Sequence, residues 1–163
     1  MPDDILLIRV VGTPAPQGSK RPVRMGKGGR IGLVESSKAV APWREAVRGE
    51  TQRVILGVAG PWPPYSEPVA VYLSFFMARP AGHYRTGRYA DQVRDSAPRY
   101  PGKYPDLDKL IRSTLDGLVT GRALTDDGLV VRLHVSEDYD VPLGKHRADA
   151  TAPGVFITIE RMS

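Results

Sequence analysis

YPDLDKLIRSTLDGLVTGRALTDDG, residues 104–128, combines five aspartates with an amphipathic repeat. Leu107, Leu110, Ile111, Leu115 and Leu118 recur at three- and four-residue intervals, the spacing that lays apolar side chains along one face of an α-helix. Pro105 biases Tyr104 toward extended backbone. The spacing therefore predicts a helix from 108 to about 119, with Asp106 in the extended approach, Asp108 as N-cap or first-turn residue and Gly121 as the stop.

Outward from this helix, the elements alternate. GLVVRLHVS (128–136) and GVFITIE (154–160) read as strands downstream, and VAVYLSFFMA (69–78) has the β-branched and aromatic content of a central strand upstream. APWREAVRGETQRVIL (41–56) sets Trp43, Ala46, Val47, Thr51 and Val54 on one helical face behind Pro42, and ILLIRVVG (5–12) reads as a buried first strand. The predicted fold is α+β, a single domain over residues 1–163, with a mixed four-stranded sheet and two main helices in the order β-α-β-α-β-β. Two stretches read as loops. QGSKRPVRMGKGGR opens a basic loop over 17–38, expected to be flexible or extended, and a long basic loop over 79–104 runs into the aspartate segment at 104–128.

A chain of 163 residues with 41% hydrophobic residues is long enough to bury a core, and its mean hydropathy of -0.27 suits a soluble domain. The absence of cysteine excludes disulfides, thiolate metal sites and cysteine nucleophiles, and points to a cytoplasmic setting. The N-terminal MPDDILLIRVVG is too short and too acidic at its start for a signal peptide or membrane span, so no membrane partner is expected. With 23 Lys and Arg against 18 Asp and Glu, the net charge of +5 suits a polyanion.

A basic chain that concentrates acid in one segment needs a reason. Asp106 and Asp108 converge when one lies in extended chain and the other in the first helical turn. The helix is only about 17 Å long, and the residues from 120 to 127 reach up to about 26 Å when extended, so Asp127 is expected to return beside them. Three carboxylates at one point repel unless a cation sits among them, and hard oxygen donors suit Mg²⁺, with Mn²⁺ as a substitute. Each feature alone has a plainer use: an aspartate before a helix caps it, and DDG makes turns. Asp116 is expected to pair with Arg112 across one helical turn. His83, His134 and His146 form no metal or triad pattern, GKGGR lacks the spacing of a phosphate loop, and Tyr84, Tyr89, Tyr100 and Tyr104 are candidates for stacking on bases or simply for packing on their own loop.

PDLDKLIRSTLDGL followed by DDGLVV resembles the RusA-type Holliday junction resolvases, many of them phage or prophage proteins, whose motif reads approximately P-D-x-D-N-x-x-K, then D-x-L, then D-D-x-x-V. VVGTPAPQGSKR, KAVAPWREAV and FFMARPAGHY extend the likeness over most of residues 5–136. The resemblance implies a Mg²⁺-dependent endodeoxyribonuclease that acts as a homodimer on four-way DNA junctions in recombination and repair. It implies that Asp106, Asp108 and Asp127 are metal ligands, with Asp126 in support. Arg112 stands where the family usually has a catalytic lysine and Lys109 where it has asparagine; Glu137 and Asp138 stand where a basic residue is usual. Arginine cannot surrender its proton, so at 112 it would hold phosphate charge and not transfer protons. Lys20, Arg21, Arg24, Lys27, Arg30 and Lys103, with Lys109, are the expected backbone contacts to DNA, joined by Arg85, Arg88, Arg94 and Arg99. Two alternatives compete: a nuclease for other branched DNA, and a non-catalytic DNA-binding accessory protein in which the aspartates are caps and turns.

Overall fold

The computed structural model describes residues 5–18, 20–25, 30–35, 38–58, 60–103, 105–140 and 152–162. Four strands form the main sheet: β1 (Ile5–Val11), β4 (Val69–Met77), β5 (Val130–Tyr139) and β6 (Gly154–Arg161), in the order β1-β6-β4-β5. β6 is antiparallel to both neighbours, and β4 and β5 are parallel, joined by the crossover that contains α2 (Leu107–Thr120). α1 (Val40–Gly57) connects the two parallel strands β1 and β4 in the same manner. The predicted α+β class, the four-stranded mixed sheet and the two helices are all present.

The stretch read as a loop from residue 17 is instead largely paired. β2 (Lys20–Met25) and β3 (Arg30–Glu35) form a separate antiparallel ribbon, with Lys20 opposite Glu35 and Met25 opposite Arg30. Glycine, proline and charge masked it, because KRPVRM and RIGLVE lack the apolar alternation by which a strand is read from sequence.

Alternation in the main sheet sets the core. Leu6, Ile8 and Val10 of β1, Val71, Leu73 and Phe75 of β4, and Val155, Ile157 and Ile159 of β6 point to the helix side and are buried. The helices complete the layer with Trp43 and Val47 from α1 and Leu110, Leu115 and Leu118 from α2. The two helices run parallel. Trp43 Nε1 donates to Thr114 Oγ1 at 3.2 Å, and a Cβ on Gly117 would lie 2.7 Å from that of Val47, so the missing side chain is what lets the helices touch. Gly121 does the same against Thr51.

Candidate functional site

α2 is held by its first turns. The backbone N–H of Gln17 donates to the Lys109 carbonyl at 3.0 Å, and the buried Ser113 hydroxyl donates to the Ala15 carbonyl at 2.7 Å. The chain that leaves β1 is thus tied to the head of α2 three residues before the basic ribbon begins. On the other side, the loop from β4 returns through buried Pro105 directly into Asp106. The acidic head of α2 therefore lies between the root of the ribbon and the end of the long loop.

Asp106 occupies the N-cap position of α2 but makes no side-chain cap bond. Its carboxylate instead pairs with Lys109 Nζ at 2.8 Å, a half-exposed contact worth less than about 1 kcal/mol. Asp108 lies exposed in the first turn, where the positive end of the helix dipole favours a carboxylate. Neither is consumed by the capping that the plainer reading assigns them. Arg112 is exposed one turn on. It does not take Asp116: that carboxylate pairs with Arg44 of α1 at 3.1 Å, so the expected pairing within α2 is replaced by a bridge between the helices.

The second acidic pair lies elsewhere. Asp126 Oδ1 accepts from the Gly128 N–H at 2.7 Å and caps a short 3-10 turn at Asp127–Leu129, in which Asp127 is exposed. After α2 the chain docks on Tyr65, whose N–H donates to the Ala123 carbonyl at 2.8 Å and whose carbonyl accepts from the Thr125 N–H at 3.0 Å. β5 then starts at Val130, opposite Val69, the first residue of β4, and ends at Tyr139, opposite Met77. Asp127 thus stands at the end of the sheet where the parallel pair begins, and Asp106 and Asp108 stand where it finishes. The 14-residue helix between them is about 21 Å long. The expected return of Asp127 to the helix head does not occur within one chain, because residues 121–129 are used to reach Tyr65 and the start of β5. Among the described residues, no three Asp, Glu or His side chains are grouped to hold a metal ion. Asp106 and Asp108 have the right donor atoms for a hard cation but do not make a cage by themselves.

Of the basic residues expected to bind DNA, Lys20, Arg21 and Arg24 lie on β2 and Arg30 on β3, while Lys27 falls outside the described residues. Lys103 is exposed at the end of the long loop, just before the acidic head. Arg85 pairs with Asp95 at 3.1 Å and Arg94 Nε donates to the Tyr84 carbonyl at 2.6 Å, so these two hold the loop together.

Two buried polar groups lie near the end of β5, one on the strand and one from the long loop, and their burial could not be read from the sequence. Glu137 Oε1 and His83 Nδ1 are buried without a hydrogen-bond partner. His83 stands edge-on to Tyr139, which shares a strand face with Glu137. Burial, reinforced by neighbouring Asp138, holds the Glu137 carboxyl above the usual glutamate range. A raised carboxyl contributes stability that is complete below the unfolded pKa and is lost as pH rises through the folded one. Glu137→Gln is therefore expected to match wild type in melting temperature near pH 4 and to exceed it increasingly toward neutral pH. Thermal melts across that range test it; a difference that does not change with pH contradicts it.

The exposed acidic head of α2 thus stands between two basic elements, the ribbon and the long loop. The chain matches the family model of endodeoxyribonuclease RusA over residues 12–160 and belongs to that family, whose members are endonucleases that act on branched DNA junctions. No individual curated protein matches it. Among the described residues, no helix is long and apolar enough to cross a membrane.

Proposed function

We propose that the protein is a Mg²⁺-dependent, homodimeric endonuclease of the cytoplasm that resolves four-way DNA junctions by paired cuts, in recombination and repair. The observation that carries this reading is the exposed Asp106–Asp108 pair at the head of α2, free of capping duty and flanked by the basic ribbon and the arginine-rich loop. Each active site combines Asp106 and Asp108 of one protomer with the partner's Asp127. The separation of these groups in a single chain supports this. A two-fold axis across the strands sets the head of one α2 beside the tail of the other, so one axis completes two equivalent sites, and a four-way junction offers two equivalent strands.

Bound by these carboxylates, Mg²⁺ or Mn²⁺ would supply an activated water and offset the charge that grows on the phosphate. The protein's own part is positional. Arg112, one turn beyond Asp108, adds a permanent charge for the scissile phosphate, and Lys109 and Lys103 stand where the flanking backbone would pass. The ribbon carries Lys20, Arg21, Arg24 and Arg30, whose charges would hold the phosphates of a DNA arm.

Cleavage of a labelled synthetic four-way junction beside a linear duplex of the same sequence, in Mg²⁺ or in EDTA, tests this. Paired nicks on opposing strands of the junction, absent in EDTA and from the duplex, are expected. Equal cutting of flaps and forks would assign the enzyme another branched substrate, and junction binding without cuts would make it an accessory protein.

A further inference from the structure

Residues 79–103 hold six Lys and Arg against two Asp, which is most of the net charge of the whole chain. Nearly all of this stretch is exposed, yet it is closed on itself by its own bonds. Tyr84 bridges Val93, the Arg85 N–H donates to the Gln92 carbonyl and the Arg94 N–H to the His83 carbonyl, both at 2.8 Å. At its root, the Arg79 N–H donates to Asp140 Oδ1 at 2.9 Å, and the Arg79 guanidinium lies 4.2 Å from the centre of the Tyr139 ring. The loop is therefore a built surface standing at the sheet end where Asp106 and Asp108 lie.

The arginines divide by what they do. Arg79, Arg85 and Arg94 bond to carbonyls or carboxylates of the loop and keep its shape. Arg88 and Arg99 lie on rings: the guanidinium carbons are 4.8 Å from the centre of Tyr89 and 5.3 Å from that of Tyr100. Tyr89 is 42% exposed and Tyr100 55%. A loop that only gripped phosphates would need the charge and not two large rings held in water. Flat π faces paired with guanidinium planes match unpaired bases, which stack on both. Stacking is interrupted at a branch point, so bases there open at lower cost than in linear duplex.

We propose that loop 81–103 is a base-stacking platform that takes unpaired nucleotides at the branch point onto the Arg88–Tyr89 and Arg99–Tyr100 stacks. This rests on the branched-DNA nuclease reading and gives that site its discrimination between junction and duplex.

The test is equilibrium binding of the full chain, in EDTA, to a four-way junction, a linear duplex and a single-stranded oligothymidine. The double variant Tyr89→Leu with Tyr100→Leu is expected to lose about tenfold or more in junction affinity and to keep duplex affinity within about twofold; Tyr89→Phe with Tyr100→Phe keeps both. Unchanged junction affinity in the leucine pair, or equal losses on junction and duplex, overturns the proposal. If wild type does not prefer the junction, the branched-substrate reading fails and the oligothymidine decides the platform: affinity lost with leucine and kept with phenylalanine supports it, and no loss refutes it.

Discussion

Asp108→Asn is expected to lower junction cleavage by about a thousandfold, the rate equivalent of several kcal/mol of transition-state stabilisation removed from a metal-assisted site. The same substitution keeps the shape of the side chain and removes its charge from an exposed first-turn position. Only a weak interaction with the helix dipole is lost, so stability should fall by less than about 1 kcal/mol. The two readouts separate catalysis from capping. Loss of cutting with an unchanged melting curve and retained junction binding supports the active-site role. Loss of stability with cutting preserved per folded molecule would return Asp108 to helix capping.

The second large effect is structural. Gly154 opens β6 at φ +149, in a region that other residues avoid, and a Cβ there would lie 2.0 Å from the Val10 carbonyl oxygen of the paired strand. The obstacle is the backbone of β1, hydrogen-bonded to β6 along its whole length, and cannot swing aside as a side chain could. Gly154→Ala should therefore cost roughly 3 kcal/mol or more, from backbone strain and overpacking together. For a chain of this size that is a fall of about 6–12 °C in melting temperature. Urea unfolding reads it as a lower midpoint with an unchanged slope; a midpoint within error of wild type would contradict the geometry. Because β1 leaves this end of the sheet to dock on α2, the substitution also tests whether the acidic head depends on the sheet edge beneath it.

The helices and the four strands of the main sheet were legible because burial writes its period into the chain. Leu107, Leu110, Ile111, Leu115 and Leu118 mark α2 by spacing alone, and all five pack on the core. The ribbon β2–β3 was not legible, since its stretch of sequence is dominated by glycine and charge, the composition of a loop. The acidic residues were legible in type and motif but not in placement. A reach of about 26 Å bounds where Asp127 can go and does not reveal the route, which the bonds to Tyr65 and the pairing of Val130 with Val69 fix at the far end of α2. Glu137 drew notice only as an acid beside Asp138 where a basic residue is usual, because an acid in a strand reads as solvated until the burial of its oxygen is seen. The Arg-Tyr steps at 88–89 and 99–100 did carry one, in the repeated pairing of a guanidinium with a ring.

Complementation between two inactive protomers tests the shared active site most directly. Asp106→Asn and Asp127→Asn chains, co-expressed with different affinity tags and purified as the mixed dimer, are to be assayed on the labelled four-way junction beside each parent homodimer. In the mixed dimer one site receives both substitutions and the other neither, so nicking should return at about half the wild-type rate, with one cut per junction, while both parents stay inactive. A mixed dimer as inactive as its parents would show that each protomer builds its site alone, and would contradict the assignment of Asp127 to the partner.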